Sequence, residues 1–186
     1  MANTDNGQWN AIAFFKNLTL TNKLAQEKGF TFARVSGLEG FEEALAQMQS
    51  KKCFVCVSDL AAGNITLNNT PRTRRVKTVF LAMRHRIDDM TARQNCMDTM
   101  RELFRQFMSV LIQEKTRLEQ DLIYLDERIS FEEISKYFFN GGACAYFNIA
   151  VDVFTDLRYN QNEWLPSTTE NQSTPDVNTS EPSTTP

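Results

Sequence analysis

The chain has 186 residues, of which 41% are hydrophobic and 23% charged, enough for one ordinary domain with a single buried core. Its net charge of −3 lies entirely after residue 164, in Glu170, Asp176 and Glu181, and residues 1–164 balance 20 basic against 20 acidic side chains. A neutral body argues against coating nucleic acid through charge alone. No apolar run is long enough to span a bilayer, and no basic segment precedes an apolar block as in a signal peptide. These features predict an intracellular product without a membrane partner.

Residues 1–164 are predicted to form a single α/β domain after a flexible start over 1–8. Residues 165–186 hold four of the five prolines and only Leu165 and Val177 as aliphatic residues. That composition cannot bury enough apolar surface to fold alone, so a disordered Ser/Thr/Pro-rich tail is expected there. Tyr159 and Trp164, just before it, are natural anchor points.

In chain order, Ile12, Phe15, Leu18 and Leu24 predict a helix over Trp9–Lys28 that Gly29 stops. Thr19–Asn22 is a poor helix interior. Phe30–Ser36 reads as a strand. Leu38–Gln49 reads as a short helix with Leu38, Phe41, Leu45 and Met48 on one face, and Lys52–Ser58 as a second strand. Asp59–Pro71 is rich in Asn, Gly and Thr, which suits a long hairpin connection with strand pairing around Ile65–Leu67. Arg74–Arg86 is the next strand, and its consecutive apolar residues Val79–Met83 imply burial on both faces in a central position.

The longest predicted element is the helix from Thr91 to Glu119. Thr91 and Gln94 fit a capping box, and Met97, Met100, Phe104, Phe107, Leu111 and Leu118 recur at helical spacing. Asp121–Ile129 reads as a strand. Phe131–Phe139 admits two readings, since Ser130-x-x-Glu133 suggests a cap and Phe138-Phe139 a strand. Asn140-Gly141-Gly142 signals a tight turn. Ala143–Thr155 alternates Ala145, Phe147, Ile149, Val151 and Val153 against Tyr146, Asn148 and Asp152, and is expected to close the sheet. The fold class is therefore α/β (α+β): a mixed, mainly antiparallel sheet of about four to five strands against a long helix, plus an amino-terminal helix.

Catalytic chemistry needs convergent groups, and few are offered. The single histidine, His85, sits between Arg84 and Arg86 and fits a strand-end structural or interface role. No glycine pattern matches a nucleotide-binding loop. Cys53-x-x-Cys56 has metal-ligand spacing, but on a strand positions three apart point to opposite faces, so these thiols read as buried and structural, as do Cys96 and Cys144. No catalytic, cofactor or metal site is expected. The unusual charge feature is Arg72, Arg74, Arg75, Lys77, Arg84 and Arg86, six basic residues with no acid among them. Ion pairing to neighbouring acids and edge solvation account for them on one reading. On the other, a basic hairpin end faces an acidic partner, a second copy of the chain or nucleic acid.

The order helix, strand, helix, strand, long loop, strand, long helix, strand and final strand resembles the small α/β neck proteins of tailed bacteriophages, the tail-terminator and tail-completion (head–tail joining) group. Thr78-Val-Phe-Leu-Ala-Met-Arg leading into the long helix and Phe139-Asn-Gly-Gly leading into the last strand carry the likeness, which covers roughly residues 30–158. The long amino-terminal helix and the tail depart from that group. The resemblance implies a non-enzymatic structural protein of the virion neck, made in the host cytoplasm. It would oligomerise as a ring, commonly a hexamer, against portal, neck or tail proteins. The loop Asp59–Pro71 and the basic ends of the following strand would be the contact surfaces, and passing DNA could meet the arginines. The alternative is a nucleic-acid- or protein-binding module using the Arg72–Arg86 hairpin.

Overall fold

The computed structural model describes residues 4–5, 8–47, 51–138 and 142–165. Strands β1 (Thr4–Asp5) and β2 (Gln8–Trp9) form a small antiparallel ribbon ahead of the first helix. That helix is not one piece. α1 (Ala11–Thr21) and α2 (Lys23–Lys28) meet at Asn22, which adopts extended backbone, ends α1 by donating its N–H to Leu18 O, and caps α2 by accepting from Ala25 N at 2.8 Å. Asn favours such a cap over a helix interior, which is why the predicted continuous helix breaks there. Gly29 then takes a left-handed conformation, φ 72°, and stops α2 as expected.

β3 (Phe30–Val35) and β4 (Cys53–Ser58) run parallel, joined over α3 (Gly37–Gln47). Met48 and Gln49 of the predicted helix lie outside the described residues, as do the side chains of Leu38 and Leu45. The remaining strands are β5 (Ala62–Ile65), β6 (Arg72–Arg84), β7 (Ile123–Leu125), β8 (Phe131–Phe138) and β9 (Gly142–Phe154), all paired antiparallel. The sheet thus has seven strands rather than four or five, in the order β3-β4-β6-β9-β7. β5 joins β4 along one edge of β6, and β8 joins β7 along the far edge of β9.

The final strand therefore sits in the middle of the sheet instead of closing it, because both of its edges are hydrogen-bonded. The hairpin pairing runs over Ala62–Ile65 and so meets the predicted Ile65–Leu67 at Ile65, with Thr66 N–H also reaching Arg72 O. β7 is shorter than the predicted Asp121–Ile129. Leu122 takes φ 58° to leave the helix, and Asp126 turns the chain away after its N–H reaches Ala150 O. Phe131–Phe138 proves a strand. Phe131 packs on Phe104 of the long helix at 4.6 Å between ring centroids, whereas Glu132 hydrogen-bonds Tyr146 across the other face. Phe139 and the Asn140-Gly141 part of the predicted turn lie outside the described residues.

α4 (Met90–Gln120) spans 31 residues, roughly 46 Å. Asp89 caps it by accepting from Ala92 N at 2.7 Å, so the Thr91–Gln94 capping box does not form, and Gln94 donates instead to Asp98. Its buried stripe is Cys96, Met97, Met100, Leu103, Phe107, Leu111 and Leu118. Phe104 is only half-buried, at the edge of that stripe. Among the described residues, no helix is long and apolar enough to cross a membrane.

Strand alternation divides the core in two. On one face α1 and α4 cover Cys53, Val55 and Val57 of β4, Val79, Leu81 and Met83 of β6, and Phe147, Ile149 and Val151 of β9. On the other, Phe41 of α3 stacks on Phe80 at 4.7 Å above Phe54, Cys56, Ala82 and Cys144. Cys53 and Cys56 thus face opposite sides, as the spacing predicts for a strand. Burial pushes the Cys56 and Cys144 thiols up to about 12, far from reactive thiolates. This compact unit runs through Asp156. The residues described after it form a separate short segment, where Gln161–Glu163 make one 3-10 turn and Tyr159 stacks on Trp164 at 6.1 Å.

Phe107 is completely buried and meets Phe15 at 6.0 Å, so Phe107→Ala is expected to destabilise the fold by roughly 3–5 kcal/mol. Urea denaturation measures this directly. A loss below about 1 kcal/mol would mean that α4 does not pack on the sheet through this residue.

Candidate interaction surface

The six basic residues singled out by sequence do not form one patch. β6 is 13 residues long, about 40 Å, and sets Arg84 and Arg86 at the opposite end from Arg72, Arg74, Arg75 and Lys77. Alternation splits the second group again. Arg72 and Arg74 pair with Phe154 and Asp152 of β9 on the face that α3 covers elsewhere, whereas Arg75 and Lys77 pair with Val151 and Ile149 on the helix-covered face.

Most of these cations have partners. Arg74 is held between Asp152, at 2.9 Å, and Asp126. The guanidinium hydrogen bond, aided by Arg128 N–H, holds the Asp126 carboxyl below the usual range. Arg72 lies 4.6 Å from the Phe154 ring centroid and 5.0 Å from that of Tyr124, in cation–π contact with both. Lys77 donates to Asp59 O. Burial lowers its pKa, Asp59 opposes this, and Arg34 and Arg75 add to it. Arg84 sits over Phe54 at 5.7 Å. Arg86 is exposed in the link to α4, with its carbonyl 2.7 Å from His85 Nδ1.

Two surfaces escaped the charge pattern. The first is the arm built by β5 and the loop to Pro71. β5 pairs only with β6 among the described residues and is exposed throughout. The loop is closed at its base, where Thr66 N donates to Arg72 O at 3.0 Å and Arg72 N donates to Thr66 Oγ1 at 3.0 Å. The arm nevertheless presents Leu60, Ile65 and Leu67 to solvent, 62%, 45% and 84% exposed. Gly63 is required here: a Cβ would stand 2.3 Å from Arg74 O.

The second is a groove of about 300 Å³ between α4 and the chain around β7, with an apolar floor of Phe104, Met108, Leu111, Leu125 and Ile129. Ile112 stands on its lip, 68% exposed. Lys115 bridges to Glu127 at 2.8 Å and Glu119 at 3.3 Å, and Asp126 turns to Arg74, so the rim charges are mutually paired. The sequence signals were present: Ile65 and Leu67 interrupt a run of polar residues, and Ile112 lies off the buried stripe of α4.

Among the described residues, no group of three or more His, Cys, Asp or Glu is placed to hold a metal ion. No protein-family model matches the chain, and no curated protein matches it in sequence.

Two outcomes follow. The folded-state pKa of Asp126 lies below its ordinary value near about 3.9, so its pairing stabilises above that value and is lost as pH falls through the folded pKa. Asp126→Asn should lose about 1 kcal/mol at neutral pH and converge on wild type in strong acid, as read by urea denaturation at both. A gap independent of pH would place its effect elsewhere. Gly63→Ala should detach β5 with the core intact, raising amide exchange at Ala62–Ile65 with little change in melting temperature. Unchanged exchange there would contradict the close approach of β5 to β6.

Proposed function

We propose that the chain is a structural assembly protein without catalytic activity, which oligomerises as a ring in the neck of a tailed bacteriophage, as the head–tail joining proteins it resembles do. The observation that carries the reading is the arm. A monomer gains nothing from holding Leu60, Ile65 and Leu67 in water on a hydrogen-bonded hairpin beside a strand edge left open among the described residues, and such edges are templates for pairing with another chain. The resemblance supplies the ring, the portal and tail partners and the virion location, and it pointed to this same loop as a contact surface.

The alternative, a nucleic-acid-binding module on the Arg72–Arg86 hairpin, is less well supported. Arg74 is neutralised by two carboxylates, Arg72 and Arg84 are stacked on rings, and the six residues occupy two ends and two faces. Contact with passing DNA would then be sequence-independent and minor.

Native mass spectrometry and light scattering over a range of concentrations test the reading. One closed oligomer, persisting in high salt because the arm is uncharged, is the expected result. A monomer at the highest attainable concentration, together with salt-sensitive DNA binding lost in Arg74→Ala/Arg75→Ala, would replace it with the alternative.

A further inference from the structure

The arm and the groove lie at opposite ends of the same cross-strand rows. Ile65 pairs with Thr73, Thr73 with Val153 and Val153 with Ile123; Gly63 connects in the same way through Arg75 and Val151 to Leu125. Residues directly opposite in a sheet share a face. Ile65 therefore projects on the same side as Leu125 and α4, but from the opposite edge, about 14 Å away across β6 and β9. An arm hydrogen-bonded to β6 cannot reach the groove of its own chain.

We infer that the arm of one copy seats in the α4–β7 groove of the next, so that copies join head to tail. This rests on the assembly reading above and adds which two surfaces meet. The chemistry of each side selects the other. The groove has an apolar floor, and its rim charges already satisfy one another, so an occupant bearing a charge would leave that charge unpaired on burial. Residues 60–71 contain no charged side chain, and they hold Leu60, Ile65 and Leu67 exposed, Ile65 in the cross-strand row that ends at Ile123 of β7. Because the two surfaces differ, the contact is heterologous: it closes into a ring if the rotation between copies allows and otherwise propagates as a filament. A self-complementary dimer would use one surface twice and leave the other bare.

Two exposed substitutions of like charge test this, Leu67→Asp in the arm and Ile112→Glu on the groove lip. Both chains should fold, with melting temperatures near that of wild type. Each alone should raise the concentration needed for half assembly about tenfold or more. Mixed in equal amounts, they should form a 1:1 heterodimer and nothing larger, because the intact arm of Ile112→Glu can engage the intact groove of Leu67→Asp whereas the two altered surfaces carry like charges. Native mass spectrometry distinguishes the two by mass. Wild-type-like assembly of either variant, or a mixture that stays monomeric, would overturn the arm-in-groove contact while leaving oligomerisation itself standing. A wild-type chain that is monomeric throughout would overturn both.

Discussion

Thirteen consecutive residue pairs between β6 and β9, from Arg72–Phe154 to Arg84–Gly142, fix where the other elements can go. The ladder joins segments about seventy residues apart, so it exists only once α4 has carried the chain back across the sheet. Each flanking edge is then shared by two short strands, β4 and β5 on one side and β8 and β7 on the other. Where the ladder is flanked by β4 and β8 it is buried on both faces, and Val79–Met83 and Ala143–Phe147 make the densest part of the core, Tyr146 excepted. Where it is flanked by β5 and β7 the second apolar cluster has ended at Phe80, and that face carries Arg72, Arg74, Thr78, Asn148 and Asp152. One ladder thus supplies both the interior and the platform from which the arm projects.

The charges follow from the same geometry. A row of basic residues in sequence becomes, on a strand, two rows on two faces. Arg74 finds Asp152 as its cross-strand partner and Asp126 where β7 ends. Arg72 finds the rings of Tyr124 and Phe154. The carboxylates that balance these cations come from segments far away in sequence, and this turns an apparent basic patch into a local ion-pair and cation–π network. The arm and the groove, by contrast, are apolar.

Much of the fold was legible because burial imposes a period. The apolar spacing of α4 and the alternation along β9 place their faces correctly, and the unbroken run Val79–Met83 marks a central strand. Alternation says which face a residue occupies, however, and not which strand lies beside it. For that reason the position of β9 in the middle of the sheet and the sharing of each edge by two strands could not be read from the residues. The break at Asn22 was signalled by weak helix formers, and its form depended on one residue serving both helices, its backbone N–H closing α1 on Leu18 O and its side chain capping α2. At the candidate surface the sequence drew attention to charge, yet a strand period applied to Arg72, Arg74, Arg75 and Lys77 already separates them. The groove was invisible because its floor joins the edge of a helical stripe, Phe104, Met108 and Leu111, to residues after β7.

A single measurement bears on the whole account: hydrogen–deuterium exchange of the wild-type chain in dilute and concentrated solution. Amides of Val79–Met83 and Ala143–Phe147 should exchange slowest in both, and concentration should add protection at Ala62–Leu67 and along Phe104–Ile129 alone. Protection gained instead at α3 or at Arg84–Arg86, or a ladder centre that exchanges as fast as β5, would contradict it.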